Sequence, residues 1–292
     1  MGLFTIYNED LTVILDSVGA VLHSIQKDDA EYLWQGDPTY WKRRDANLFP
    51  YVGRLTDGKY LLHGKPYPMT IHGFCIGTEF AVTEQTESAI RFTLEDNETT
   101  REMYPFHFTF HVTYRLEGST IVKTCLVKNR DSKEMYFGIG GHPGFMVPLG
   151  NDGSFTDWKL VFDKPCTPTR IDFDPSNYRL AGTTSDFPLE NGTTIPLQHE
   201  LFDLDAVVLQ DTSRTVTICS QKSQRSVTVA FPDFPFVGLW HAPKTDAPYV
   251  YIEPWVSLPS HSAYVEELST QEHLIHLPCG ESYRNIMTIT LT

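Results

Sequence analysis

Hydrophobic and polar residues alternate along much of this chain, the pattern expected of β-strands with one buried face. In residues 106–113 the apolar side chains of Phe106, Phe108, Phe110 and Val112 alternate with polar ones, so they share one face of a strand. Shorter runs of this kind recur at 11–15, 90–94, 121–127, 215–219, 226–231 and 287–291. Turn-forming Asp-Gly and Glu-Gly pairs lie between several segments. The pattern predicts many short antiparallel strands.

Helical periodicity over ten or more residues is scarce, and 19 Pro and 19 Gly interrupt the chain too often for a helix bundle. We therefore predict an all-β fold, a large antiparallel β-sandwich. No linker rich in Pro, Gly or Ser divides the sequence, so we expect a single domain over residues 1–292. Residues 163–200, rich in Asp, Pro, Thr and Asn, are predicted to form a long loop that borders a functional site.

Composition narrows the classes of partner. The net charge of -14 at pH 7 argues against nucleic acid, because phosphate backbones are bound by clustered Lys and Arg. The five cysteines form no Cys-x-x-Cys pair, which predicts reduced thiols. The first residues lack the pattern of a signal peptide, and no apolar stretch approaches the roughly 20 residues that span a bilayer. We expect a cytoplasmic protein without a membrane partner, either a monomer or a homodimer.

One histidine stands out as a candidate for chemistry. His142 lies in the segment GIGGHPGF at residues 138–145, where glycines on both sides leave space around the ring and Pro143 holds the backbone. Histidine has an unperturbed pKa of about 6.5, so it can give or take a proton near neutrality. A reactive pocket is one interpretation of this segment, and a core histidine in a glycine-rich turn is the other.

Further segments place polar residues among glycines, prolines and aromatic rings. The residues concerned are Arg54, His72, Phe74, Asp205, Glu253, Trp255 and Glu281. Carboxylates and arginine bind hydroxyl groups, and aromatic faces pack on the C–H face of a sugar ring. Together these segments predict a site for a neutral carbohydrate.

The order of these motifs resembles that of the aldose 1-epimerases, or galactose mutarotases, and most of all their bacterial branch associated with lactose and galactose utilisation. The motifs are NLFPYVGRL at 47–55, HGF at 72–74, YPF at 104–106, GGHPGF at 140–145, IEPW at 252–255 and PCGE at 278–281. The resemblance runs from the first predicted strand to the last. It implies a galactose mutarotase-like β-supersandwich that interconverts the α and β anomers of a free hexose such as galactose or glucose, without cofactor or metal.

The resemblance also implies roles for individual residues. His142 corresponds to the general acid that protonates the ring oxygen, and Glu281 to the base that takes the proton of the C1 hydroxyl. His72, Arg54 and Asp205 correspond to residues that hold the substrate. Ring opening requires an acid and a base on opposite sides of C1, and each positioned proton transfer contributes about 10²–10⁴-fold. We expect a neighbouring carboxylate to raise the pKa of His142 and keep it protonated.

Glu253 is a second candidate base. Its position before Pro254 and Trp255 favours another role, in which it pins a loop and sets an aromatic wall of the substrate site together with Trp255. Phe74, in the HGF motif, is expected to contact the substrate as well.

Other functions remain open at this point. A hexose-6-phosphate 1-epimerase would need extra cations, which Lys42, Arg43 and Arg44 could supply, although a solvated charge cluster is the favoured interpretation of that run. A non-catalytic carbohydrate-binding protein, or a glycoside hydrolase or lyase that pairs Glu253 with Glu281, are further alternatives. His107 and His111 share a strand face, but no third ligand accompanies them, so no metal is expected.

Overall fold

The fold is built almost entirely from β-strands, and a computed structural model describes it for residues 2–292. The strands are β1 (Leu3–Tyr7), β2 (Thr12–Asp16), β3 (Val21–Lys27), β4 (Ala30–Glu31), β5 (Asn47–Leu48), β6 (Lys59–Leu62), β7 (Lys65–Pro68), β8 (Ala81–Gln85), β9 (Ala89–Glu95), β10 (Phe108–Glu117), β11 (Thr120–Asn129), β12 (Met135–Phe137), β13 (Gly140–Gly141), β14 (Gly144–Met146), β15 (Trp158–Phe162), β16 (Thr169–Phe173), β17 (Leu180–Asp186), β18 (Thr194–Pro196), β19 (Val207–Gln210), β20 (Thr215–Ser220), β21 (Val227–Ala230), β22 (Phe236–Trp240), β23 (Tyr249–Trp255), β24 (Ile275–Leu277) and β25 (Ser282–Leu291). The helix α1 spans Glu98–Met103, and short 3₁₀ helices span Thr56–Gly58, Cys75–Gly77, Leu149–Asn151, Phe155–Asp157 and His199–Phe202.

Two large sheets dominate the architecture. The nine-stranded sheet has the order β18-β15-β20-β21-β25-β11-β10-β9-β8, and the eight-stranded sheet has the order β17-β16-β19-β22-β23-β13-β5, with β14 paired to β23. Neighbouring strands in both sheets are antiparallel. Strands β1 to β4 form a smaller sheet, and β6-β7 and β12-β24 form two-stranded ribbons. The prediction of an all-β antiparallel fold is confirmed.

The apolar faces of the two large sheets form a common core. Phe110 and Val112 on β10 are fully buried, as are Leu239 and Ile252 on the other sheet, and all four belong to one hydrophobic cluster. Burial of apolar surface contributes roughly 25 cal/mol per Å², so this shared interior is the main source of stability. The seven runs that alternation predicted as strands all overlap strands of the structure.

Strand β23 is buried on both of its faces. Val250 and Ile252 point into the main core, whereas Tyr251, Glu253 and Trp255 lie on the face turned away from the nine-stranded sheet. Successive side chains of a strand point to opposite faces, so the alternation places one set in the core and the other on what we call the outer face. The outer face of the eight-stranded sheet is therefore covered by loops rather than by solvent.

The prediction that residues 163–200 form one long loop is wrong, because this region contains β16, β17 and β18. Strands β17 and β18 lie at the edges of their sheets. Most residues of β17 are exposed, so the strand has no apolar alternation to mark it.

All five cysteines are free. No helix within residues 2–292 has the combination of length and apolar character needed to cross a membrane.

Candidate active site

An open cavity of about 670 Å³ lies on the outer face of the eight-stranded sheet. Seven of the predicted site residues line it: Arg54, His72, Phe74, His142, Asp205, Glu253 and Trp255. Strands β22 and β23 form its floor, and loops between strands form its walls. The structure thus brings together side chains that are up to about two hundred residues apart in the sequence.

Glu253 lies at the floor of the cavity on the outer face of β23. It is only 2% exposed, and Gly238 of β22 is its register partner. A Cβ atom at position 238 would lie 3.3 Å from the Cβ of Glu253, so the glycine leaves room for the glutamate. Burial, together with the negative charge of Asp205, raises the pKa of Glu253 well above its ordinary value.

His142 faces Glu253 because the strands on either side of it both pair with β23. Strand β13 pairs through Gly140 and β14 through Gly144, which is opposite Tyr251. A Cβ atom at position 144 would lie 2.6 Å from the Tyr251 ring, so only glycine fits at this position of the strand pair. The connection places Nε2 of His142 3.2 Å from Oε2 of Glu253, within hydrogen-bonding reach.

The pKa of His142 is shifted in the direction opposite to the expectation. Burial lowers the pKa of His142 to about 3, and the positive charges of Arg43 and Lys123 act in the same direction. Burial also raises the pKa of Glu253, so desolvation disfavours the charged form of both groups. The expectation that a neighbouring carboxylate raises the pKa of His142 differs from this direction, because the desolvation of the buried ring outweighs the attraction of a nearby negative charge.

His72 is a neutral donor on the cavity wall. The backbone N–H of Gly53 donates to its Nδ1 at 3.1 Å, which leaves Nε2 as the protonated nitrogen. Burial lowers the pKa of His72 well below its ordinary value, and nearby positive groups add to the effect. The next residue must be glycine, because Gly73 has φ +78° and its Cβ would lie 2.1 Å from the carbonyl oxygen of Phe49. The ring is perpendicular to that of His142, with centroids 5.5 Å apart.

Arg54 and Asp205 form a polar group nearer the opening. Nη2 of Arg54 lies 3.5 Å from Oδ2 of Asp205, and the indole N–H of Trp240 donates to Oδ1 at 2.6 Å. Asp205 adopts φ 77° two residues before β19 begins, and its carboxylate lines the cavity. The Arg54 guanidinium is 5.2 Å from the centroid of the Tyr178 ring. This group presents both hydrogen-bond donors and acceptors to a ligand.

Glu281, the predicted base, is not part of this site. It is exposed in the turn before β25 and does not line the cavity. Its carbonyl oxygen accepts a hydrogen bond from the N–H of Asn129 at 3.0 Å. The physical reason is the topology: β25 belongs to the nine-stranded sheet, whereas the cavity lies on the far side of the other sheet. A paired-carboxylate site with Glu253 and Glu281 is excluded on the same ground.

Four aromatic residues of the cavity were not predicted as site residues: Trp41, Phe173, Tyr178 and Trp240. Trp41 and Tyr178 are each 38% exposed, and the ring of Trp41 lies 5.2 Å from that of Trp240. For Trp41 and Tyr178, a large aromatic side chain in a polar loop segment was the available signal, because large apolar side chains left exposed together mark an interaction site.

The cationic run at 42–44 does not converge on the cavity. Arg43 lines it, but Lys42 and Arg44 do not, and the Arg44 guanidinium donates to the carbonyl oxygen of His23. His107 and His111 bond instead to Asp96 and Thr93. Within residues 2–292, no set of three or more His, Cys, Asp or Glu side chains is arranged to hold a metal ion.

Known proteins resemble this chain over nearly its whole length. A family model described as Aldose 1-epimerase matches residues 2–290. The chromosomal protein LacX of Lactococcus lactis subsp. lactis is 33% identical over 261 residues, which cover 86% of each chain. A galactose mutarotase related enzyme from Lactobacillus acidophilus is 32% identical with a TM-score of 0.94, covering 100% of this chain and 97% of its own. A galactose mutarotase-like protein from Lactobacillus casei ATCC 334 is 32% identical with a TM-score of 0.92, covering 100% of both chains.

Proposed function

This chain belongs to the aldose 1-epimerase family, and we propose that it interconverts the α and β anomers of a free hexose by acid–base opening and reclosure of the pyranose ring. The observation that carries the proposal is the buried contact of 3.2 Å between His142 and Glu253 at the cavity floor. A sugar placed over this pair would meet one proton donor and one proton acceptor at the same end of the ring.

We assign the acid role to His142 and the base role to Glu253, in place of Glu281. Ring opening moves one proton from the C1 hydroxyl to the pair and one from the pair to the ring oxygen, so the pair keeps a single proton throughout. The contact lets that proton pass from the Glu253 carboxyl to His142 when sugar hydroxyls donate to the carboxylate and stabilise its charge. Rotation about C1–C2 and reclosure then reverse the two transfers.

The remaining cavity residues are suited to holding the ring. Neutral His72 can donate to a hydroxyl, and Arg54 with Asp205 can both donate and accept. The rings of Phe74 and Trp255 line the same cavity and offer apolar faces to the C–H groups of a pyranose. Such sites fix orientation with a few polar groups while apolar surface supplies most of the contact area.

Polarimetry with freshly dissolved α-galactose and α-glucose tests the proposal. We expect the enzyme to accelerate the approach to anomeric equilibrium, and Glu253→Gln to lower kcat by about 10²–10⁴-fold, the contribution of one positioned proton transfer. Glu281→Gln is the matched control and should retain the rate. The assignment is wrong if Glu281→Gln loses activity while Glu253→Gln keeps it.

One observation supports the phosphorylated alternative. Arg43 is exposed, lines the cavity and forms no ion pair within 4 Å among the described residues. A single cation of this kind could contact the phosphate of a hexose 6-phosphate. The same polarimetric assay with glucose 6-phosphate compares the two substrates directly, and a higher kcat/KM for the phosphorylated sugar would favour the alternative.

A further inference from the structure

Strand β11 carries a lysine at a position where its apolar pattern predicts a core residue. Ile121, Cys125 and Val127 are buried on one face of the strand, and Lys123, on the same face, is only 3% exposed. Its Nζ lies 5.8 Å from the centroid of the Tyr114 ring and has no hydrogen-bond partner among the described residues. Burial of an ammonium group without a close partner is strongly unfavourable, so this residue is a candidate for a functional role.

The Lys123 ammonium lies behind the residue that precedes His142. A Cβ atom at position 141 would lie 3.5 Å from Nζ of Lys123 and 3.4 Å from Cε of Met287, and both of these residues belong to the nine-stranded sheet. Successive residues of a strand point to opposite faces, so Gly141 faces the core while His142 faces the cavity. The positive charge therefore lies on the core side of the backbone that carries His142.

A buried carboxylate contacts the same backbone from the cavity. Asp45 lines the cavity and is 6% exposed. Its Oδ2 accepts a hydrogen bond from the N–H of Leu22 at 3.0 Å, and its Oδ1 accepts one from the N–H of Ala46 at 2.8 Å. The backbone N–H of His142 also donates to this carboxylate. A single side chain thus joins β3, the segment that enters β5 and the segment that carries His142.

The two buried charges act on each other. Burial raises the pKa of Asp45, whereas the positive charge of Lys123 and the backbone donors act to lower it. A carboxylate accepts hydrogen bonds through both of its oxygens, whereas a protonated carboxyl uses one of them as a donor. Lys123 therefore favours the form of Asp45 that can accept all three backbone N–H groups.

We propose that Asp45 and Lys123 are positioning residues for the reaction. The Asp45 carboxylate fixes the backbone of His142 so that the imidazole meets Glu253, and the Lys123 ammonium keeps that carboxylate ionised in the interior. Neither residue exchanges a proton with the sugar, because both act through His142. The proposal rests on the proposed function, since an effect on the rate presupposes the pair of His142 and Glu253.

Polarimetry with freshly dissolved α-galactose and α-glucose tests these roles. We expect Asp45→Asn to lower kcat by about 10–10²-fold and to change KM by less than about twofold, because displacement of a catalytic group by about 1 Å can cost 10²-fold. Lys123→Met, which removes the charge and keeps most of the side-chain length, should also lower kcat. Asp157→Asn is the matched control and should keep kcat. That carboxylate also accepts a backbone N–H, from Ser154 at 2.8 Å, and pairs with Lys222 at 2.8 Å, but it does not line the cavity.

The double variant Asp45→Asn/Lys123→Met separates positioning from stability. Removal of one of two opposite buried charges is strongly destabilising, whereas removal of both is often neutral. We expect each single variant to lower the midpoint of urea denaturation and the double variant to restore it. The kcat of the double variant should stay low, because an amide offers one acceptor oxygen to three N–H groups. A wild-type kcat in the double variant overturns the proposal, and this test holds even if a single variant fails to fold.

Nuclear magnetic resonance of protein with isotopically labelled histidine distinguishes failure of this proposal from failure of the proposed function. Asp45→Asn should shift the ring resonances of His142, which are assigned by their loss in His142→Asn, and Asp157→Asn should not shift them. If the wild-type protein interconverts no aldose, that shift supports the positioning role and its absence overturns it. If the wild-type protein is active but Asp45→Asn changes neither kcat nor the His142 resonances, the positioning role fails alone.

Discussion

Glu253 and Glu281 have similar sequence contexts but different surroundings. Each lies near a proline and an aromatic residue, yet Glu253 is 2% exposed in the cavity floor, whereas Glu281 is exposed in a turn. At the scale of single residues, the sequence therefore named His142 and six other residues that line one cavity, but its predicted base, Glu281, does not line it. Which sheet carries a residue depends on contacts between distant strands, which local context does not encode.

In the proposed mechanism the pair of His142 and Glu253 holds a single proton, and the expected pH dependence of activity follows from it. As the pH falls below the pKa of His142, the pair gains a second proton and no base remains. Because burial lowers that pKa to about 3, we expect kcat/KM to stay constant from pH 7 to pH 5, after subtraction of the uncatalysed rate. Polarimetric assays at several pH values in this range measure kcat/KM, and circular dichroism at the same pH values verifies that the protein remains folded. A decline centred near the ordinary histidine pKa of about 6.5 would contradict the assignment.

At the scale of strands, alternation identified one large sheet and missed the other. Six of the seven predicted runs lie in the nine-stranded sheet, and the seventh is β2 of the small sheet. Strands β22 and β23 gave no such pattern because both of their faces are covered. A strand that has a core on one side and a site on the other carries apolar residues at nearly every position, so its period of two disappears.

The close pairing of β14 with β23 predicts the effect of a small substitution at Gly144. In Gly144→Ala the new methyl group would lie 2.6 Å from the Tyr251 ring, and neither backbone nor ring can move freely. We expect a loss of about 1–3 kcal/mol in the free energy of unfolding, measured by urea denaturation. Gly77→Ala is the control, because a Cβ there meets nothing within 4 Å. Equal free energies of unfolding for the two variants would show that the contact between position 144 and the Tyr251 ring is not tight.

At the scale of the whole molecule, the interior holds several uncharged histidines. Besides the two in the site, His241 is fully buried. Its Nδ1 lies 2.8 Å from the carbonyl oxygen of Ala242, and its Nε2 lies 3.2 Å from Nδ1 of His199. Burial lowers the pKa of His241 to about 4. No sequence pattern identified His241 as buried, because its burial results from packing between segments that are distant in the chain.

Acid should therefore destabilise the folded protein. Between the unfolded pKa of about 6.5 and the folded value of about 4, the unfolded chain binds more protons, so the free energy of unfolding decreases as the pH falls. We expect His241 to account for about 1–2 kcal/mol of the decrease from pH 7 to pH 5. Urea denaturation at several pH values measures this decrease in the free energy of unfolding. His241→Gln should show a shallower dependence, and an unchanged dependence would contradict this origin.

Some residues of the cavity lie on strands and others lie in the connections between strands, and this difference has a consequence for divergence within the family. The proposed proton-transfer pair depends on three paired strands, whereas Arg54, His72 and Asp205 come from connections between strands. Insertions and substitutions accumulate most easily in connections. If the proposed function holds, selection can therefore exchange one sugar for another while the residues that open the ring are inherited intact.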